Sequence, residues 1–378
     1  MTANQIYTLV NSAAAQSVGA SAITVTDTST LVSLGDKVLS STTDIEQFYS
    51  ALLDRIGRVV IAVRNYRAAD RSVKREDMEW GCILQKISYT YNSAVANPSW
   101  VPTPQADPFD VNISTTAIQK LFSVLGTWSH EDSIPDYQLF SAFTSADKMA
   151  AFISGIYQSI ENSLQVEEEA LADLAVATNI AGIITSGTSA QKRALVTEYN
   201  ALTGSSLTSA TALFDDGFLA YACGEILMTS DYMKKMSVLY NADGLNRFTP
   251  TEDLVCEMLS GFDNALATRL RSNTYHEKLI KLPRYEVVSA WQGTGTGGAL
   301  TDRASIKIKE YSSGSAVDVE QGNIIAFMHD RDSCASIITR MRDHSIYNPR
   351  AERLNIFKKA DKGYAVDLSE NGVVFLLA

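Results

Sequence analysis

The chain has 378 residues, 46% hydrophobic and 20% charged, which suits a folded protein of two or three packed units with a sizeable core. Its net charge of -11 and pI of about 4.9 argue against a nucleic-acid reader, which needs a basic face to neutralise phosphates. The first basic residue is Lys37 and no 18-residue apolar run occurs, so neither a secretory signal nor a membrane span is expected, and the protein should be made in the cytoplasm.

Residues 1–44 are rich in Ser, Thr and Ala and poor in charge, without a sustained helical stripe, and read as an extended N-terminal arm that orders only against something else. From Ile45 to Ile56 apolar residues recur at three- and four-residue steps, predicting a short helix with Thr43 and Glu46 as its capping box. Residues 57–108 read as a long, exposed loop. Within it VVIAVRNYR and ILQKISYTY suggest two strands of a projecting hairpin, and NPSWVPTPQADP closes the segment with four prolines. So little core over some fifty residues calls for burial from outside the domain, a signal of partners.

The strongest periodic signal lies at 144–180, where Met149, Ile153, Ile156, Ile160, Leu164, Leu171 and Leu174 form one stripe. A helix of this length spans about 55 Å, longer than most globular helices. Further helices are predicted at 189–202, stopped by Gly204, and at 207–229. MSVLYN (236–241) reads as a buried strand, and TPTEDLVCEMLSGFDNAL carries helix start signals at Thr249, Pro250 and Thr251. From 278 onward the chain turns to strands: KLIKL, YEVVSAW, ASIKIKEY, NIIAFM, RLNIFKK, GYAVDL and VVFLLA. The order does not alternate as in a doubly wound sheet, so the class is α+β.

No sequence carries a recognisable catalytic site, and no cofactor or metal is expected. GTGTGG (Gly293, Gly295, Gly298) matches a dinucleotide loop literally but leads into the alternating ASIKIKEY rather than a helix, so it reads as a hairpin loop. A nucleotide-using enzyme at Gly293–Gly298 is the alternative from a different class. YHEKLI has Ile280 where a zinc-binding HExxH needs its second histidine. Cys82, Cys223, Cys256 and Cys334 stand apart with no CxxC, and buried free thiols are the expected state.

Charge is segregated. Arg55, Arg58, Arg64, Arg67, Arg71, Lys74 and Arg75 crowd the loop with a single acid, Asp70, whereas the long helix carries Glu161, Glu167, Glu168, Glu169 and Asp173. Arg67, Arg71, Lys74 and Arg75, where the loop should reach furthest, are expected to lie across Glu167, Glu168 and Asp173 of another copy.

Several collinear stretches carry a family likeness: LLDRIGRVVI (52–61), LFS from 121 through HEDSIPDYQLFSAF to FISGIYQSIENSLQVEEEALADL, and YNPRAERLNIFKKADKGYAVDLSENGVVFLLA (347–378). In order and spacing they resemble tailed-phage major capsid proteins of the Hong Kong 97 fold, most closely those of small podophages of the phi-29 type. The resemblance implies an N-terminal arm (1–44), a short helix (45–56), an extended loop (57–108), a peripheral domain with a spine helix (109–181 and 346–378) and an axial domain (182–345). It also implies a self-assembling shell subunit rather than an enzyme, forming hexamers and pentamers of an icosahedral or prolate head. The partners implied are a portal, a separate scaffolding protein and enclosed double-stranded DNA bound without sequence specificity. Assembly would take place in the host cytoplasm and the product is the virion, with no membrane involved. Some members crosslink a lysine to a neighbour's asparagine; Lys74 and Lys86 lie in the loop, but no motif supports that reaction here. An encapsulin-type compartment shell is the alternative within the same fold.

Overall fold

The computed structural model describes residues 3–17, 23–39, 43–48, 51, 72–75, 83–89, 116–123, 126–136, 146–271, 282–292, 303–310 and 317–378. The chain divides into two compact units. Met1–Asp70, Gly126–Glu169 and Ile338–Lys362 form the first, and Arg71–Leu125, Ala170–Ile337 and Gly363–Ala378 the second.

In the first unit the N-terminal residues are helical, contrary to the extended arm read from composition. Helix α1 (Ala3–Ser17) and helix α2 (Thr28–Val38) are followed by helical residues at 43–48 and 51. Asp27 caps α2, its carboxylate accepting from the Thr30 amide at 2.8 Å while the Thr30 hydroxyl accepts from the Asp27 amide at 3.0 Å. Ile6, Val10, Ala13 and Ala14 on α1, Leu31, Leu34 and Val38 on α2, and Ile45 and Phe48 beyond them are all buried in one cluster. The stripe that composition hid is made partly of alanine, and it is interrupted between the two helices. The same cluster takes Ile134, Leu354 and Ile356 from one face of an antiparallel strand pair in which Ile134 stands opposite Leu354. This segment therefore has a core within its own unit.

Along the chain the strands are β1 (Lys74–Arg75), β2 (Ile83–Tyr89), β3 (Ala117–Ser123) and β4 (Gly126–Pro135). Helix α3 (Ala146–Ser186) comes next, then β5 (Lys192–Ala194), α4 (Leu195–Thr203), α5 (Ser209–Ala212), α6 (Asp216–Met233), β6 (Leu254–Leu259) and α7 (Ser260–Ala265). The remaining strands are β7 (Glu286–Val288), β8 (Ile306–Glu310), β9 (Val317–Gln321), β10 (Ile324–Asp330), β11 (Cys334–Asn348), β12 (Arg353–Val366) and β13 (Gly372–Leu376).

Helix α3 is the predicted spine, 41 residues and about 62 Å long. It outruns the predicted end because its last turns are apolar on one side: Ala175, Val176, Ile180 and Ile183 are buried in the second unit. Gly182 lies under the Leu368 side chain, where a Cβ would come within 2.7 Å of a methyl group.

The second unit is built on a five-stranded sheet in the order β5-β13-β10-β6-β7. Its centre, β10, is buried along its whole length and pairs antiparallel with β13 and with β6. One face meets α6 through Phe218, Ala222 and Ile226 packed with Met258, Met328 and Phe375. The other face presents Phe327, Val374 and Leu376 to the end of α3 and to Trp291. Burial on both sides explains why NIIAFM and VVFLLA are continuous apolar runs rather than alternating ones.

Several expectations change here. The helix read at 249–266 is instead strand β6 followed by the short α7, because LVCEML is buried in the sheet and Thr249 donates to Asp330 at 2.8 Å rather than capping a helix. MSVLYN is a loop, with Met236, Val238 and Leu239 exposed. The predicted helix at 207–229 is broken between α5 and α6. Residues 363–378, grouped with the peripheral sheet from the sequence, belong to the second unit, where β13 enters the five-stranded sheet. Among the described residues, no helix is long and apolar enough to cross a membrane.

Candidate assembly surface

The described part of the loop forms a two-stranded antiparallel ribbon, but with a different partner from the one expected. Strand β2 pairs with β3, and VVIAVRNYR lies outside the described residues. Ile87 stands opposite Gln119, Lys86 opposite Lys120 and Gln85 opposite Leu121. Alternation then gives the ribbon two faces. The outer one presents Ile87, Tyr89 and Leu121, which are 53%, 69% and 62% exposed.

The inner face places two like charges directly across from each other, which alone is destabilising. Carboxylates from three positions resolve this. Lys86 Nζ lies 2.9 Å from Asp367 and 2.8 Å from Glu370, and Lys120 Nζ lies 2.6 Å from Asp243 and 3.1 Å from Asp367. Asp367 sits in the turn between β12 and β13 and also accepts from the Ser369 hydroxyl at 2.6 Å. Burial would raise its pKa, but the charge of Lys86, the Ser369 hydrogen bond and Lys120 together outweigh this and hold it down to about 2. Glu370 is instead pushed up by its own burial, against the pull of Lys86 and Arg247. Asp367 is therefore the anchor of a clamp that fixes the ribbon to the β12–β13 turn. Lys86, noted as a loop lysine, is held in this clamp. Sequence reasoning missed Asp367 and Glu370 because they lie some 250 residues away from the ribbon.

The predicted contact residues are distributed unevenly. Arg67 and Arg71 lie outside the described residues. Lys74 and Arg75 form β1, which pairs parallel with β11 opposite Ser336 and Ile337. Lys74 is no outward arm: its ammonium nitrogen is buried, next to Val73 in the core of the second unit. Glu167, Glu168 and Asp173 lie on α3 as expected, and Glu167 is already held by Lys362 of the same chain.

The other candidates are accounted for locally. The loop at 293–298 lies outside the described residues, but the segment after it is strand β8, so no helix N-terminus follows to receive a pyrophosphate. Cys223, Cys256 and Cys334 are buried free thiols, and Cys82 lies outside the described residues. His329 is fully buried and stacks on Phe327 at 4.6 Å; its Nδ1 lies 2.8 Å from the Asp330 carbonyl and 2.9 Å from the Ser333 hydroxyl. That is a core histidine. Among the described residues no group of three or more His, Cys, Asp or Glu side chains is placed to hold a metal ion.

Comparison with known proteins adds to this geometry. The family model for the Phi29-like phage major capsid protein matches residues 8–376. Over 136 residues the chain is 29% identical to the major capsid protein of Bacillus phage GA-1, a match that covers 36% of this chain and 27% of that relative. In three dimensions it is similar to a chain of the capsid structure of Staphylococcus phage Andhra, with a TM-score of 0.54 and 10% identity over 82% of this chain and 84% of that one. A chain of the native bacteriophage P68 structure gives a TM-score of 0.53 at 10% identity, covering 81% and 83%.

Proposed function

We infer the role of this chain from its family: it belongs to the Phi29-like phage major capsid proteins, and its α+β fold is that of the Hong Kong 97-type phage shells. It is a structural subunit, many copies of which build a capsid. In the finer reading, hexamers and pentamers close an icosahedral or prolate head around double-stranded DNA, together with a portal and a separate scaffolding protein, in the host cytoplasm. The net charge of -11 gives the chain no excess of basic groups to hold phosphates, which fits enclosure of the DNA without sequence-specific binding.

The observation that carries the assembly reading is the β2–β3 ribbon: clamped on its inner face, it offers Ile87, Tyr89 and Leu121 to solvent on the outer one. An apolar outer face on a fixed ribbon fits burial by a neighbouring copy. Arg67, Arg71 and Arg75 then bias the direction of the loop by meeting the acidic face of a neighbour's α3, with each exposed pair contributing about 0.2–1 kcal/mol. Glu167, Glu168 and Asp173 of α3 are the partners proposed for them. Arg71→Glu with Arg75→Glu is expected to leave the subunit folded and to lower shell yield severalfold, and Glu168→Lys to recover part of it. Electron microscopy and sedimentation of shells made at low salt check this. Normal assembly of the double reversal sinks the pairing.

A further inference from the structure

An exposed edge strand is a template for pairing with another chain, and proteins blunt such edges by keeping them short or charged. Most edges among the described residues are blunted in this way. Strands β1, β5 and β7 are only two or three residues long, β4 carries Glu131 and Asp132 at mid-strand, and β8 pairs with β9 across Lys307 and Glu320. The β2–β3 ribbon is the exception. It runs for seven residues in each strand without a bulge or a proline, and no third strand joins it among the described residues.

The charges of the ribbon are already spent within its own chain. Lys86 and Lys120, the only charged residues of β2 and β3, lie on the inner face and meet Asp243, Asp367 and Glu370. The outer positions Gln85, Ile87, Tyr89, Ala117, Gln119 and Leu121 are all exposed and carry no charge. Two strands alone make a marginal sheet, and a third strand with an apolar face strengthens it. A strand added at the edge of this ribbon would meet no charged side chain on the outer face.

We propose that the β2 edges of two copies pair antiparallel across a two-fold axis centred on Ile87, joining two ribbons into one four-stranded sheet. This rests on the capsid reading and names the segment of the neighbour that meets the ribbon. The occupant is a second ribbon because, among the described edge strands, β2 and β3 are the long ones that bring no charge to the outer face. The lysines select the register. Complete overlap of the two β2 strands would set Lys86 against Lys86, and a shift of one residue would turn one outer face inward. A shift of two residues sets Lys86 opposite Ser88, Gln85 opposite Tyr89 and Ile87 opposite Ile87, a β-branched pair suited to a sheet. The β3 edge shifted likewise centres on Gln119 or Leu121, neither of them β-branched. A contact that uses the same edge on both copies closes at two, whereas β2 laid on β3 of the next copy would repeat into an open sheet.

The test changes residue 87 in the full-length chain. Ile87→Lys and Ile87→Glu each set like charges against each other at the axis, and each is expected to lower shell yield at low salt about fivefold. The melting temperature should stay at the wild-type value, since the Ile87 side chain is 53% exposed. Mixed in equal amounts before assembly, the two variants oppose a cation to an anion, and yield is expected to return to within about twofold of wild type. A residue that faces its own counterpart gives that rescue; one buried on a different surface does not. Ile87→Cys in a Cys82→Ser background is expected to crosslink as a dimer within shells on mild oxidation, and Leu121→Cys in the same background is not. Wild-type yield from either charge variant alone, no rescue in the mixture, or crosslinking by Leu121→Cys instead overturns the β2 pairing. If the wild type forms shells while these outcomes fail, the capsid reading stands and only this contact is wrong. A wild type that forms no shells fails both.

Discussion

Lys86 and Lys120 stand opposite each other on the ribbon over three carboxylates, of which Asp367 alone reaches both. A carboxylate whose pKa is depressed in the folded state contributes stability above its ordinary range and loses it as pH falls towards the depressed value. For Asp367 the window runs from about 4 down to about 2, and the drop from 3.8 to about 2 corresponds to roughly 2 kcal/mol. Hydrogen exchange should therefore show residues 83–89 and 117–123 losing protection as pH is lowered through that window, ahead of the five-stranded sheet. Asp367→Asn should produce the same loosening at neutral pH. If the ribbon in that variant exchanges as slowly as in the wild type, the clamp is not what holds it. The thiols give a second residue-scale expectation. Burial pushes Cys256 up to about 12, and Cys223 and Cys334 are buried as well. All three should resist a thiol reagent in the native protein and react only on denaturation; labelling of any of them at native rates contradicts the packing described.

At the scale of elements, the N-terminal helices make the clearest claim. Leu34 is fully buried among residues of α1, α2, β4 and β12. Leu34→Ala should destabilise the isolated subunit by about 2–5 kcal/mol, measured by denaturant unfolding. An arm ordered only by neighbours would show no such loss. The long helix and the C-terminal strands were legible in the sequence because their signals are local: a stripe of seven apolar residues in α3, and apolar runs bounded by turn residues in β10 and β13. What was not legible depends on distant partners. Thr249 and Pro250 look like a helix start, but Thr249 answers Asp330, and LVCEML is drawn into the sheet by β10 and β7. MSVLYN read as a buried strand, yet Met236, Val238 and Leu239 stand on the surface. The clamp was invisible because nothing local links Lys86 to Asp367, although two lysines on one face of a strand pair are a cue that acids must come from elsewhere.

For the whole molecule, the position of β13 matters most. It lies between β10 and β5, so the central strand of the second unit lacks a neighbour until residues 372–376 are available. A chain truncated before Gly372 should be recovered insoluble, and mass spectrometry of shells purified after co-expression with the full-length chain should not detect it. Its presence in those shells would falsify the idea that the strand is required. The arrangement also acts as a clock on synthesis. A ribosome adding about 5–20 residues per second needs roughly two to eight seconds to pass from the end of β10 to the start of β13. Through that interval α6 already exists, but the sheet that supports it is incomplete. Subunits in which β13 has not yet been made thus lack a finished sheet, and competence to join a shell arrives only once residues 372–376 have been added.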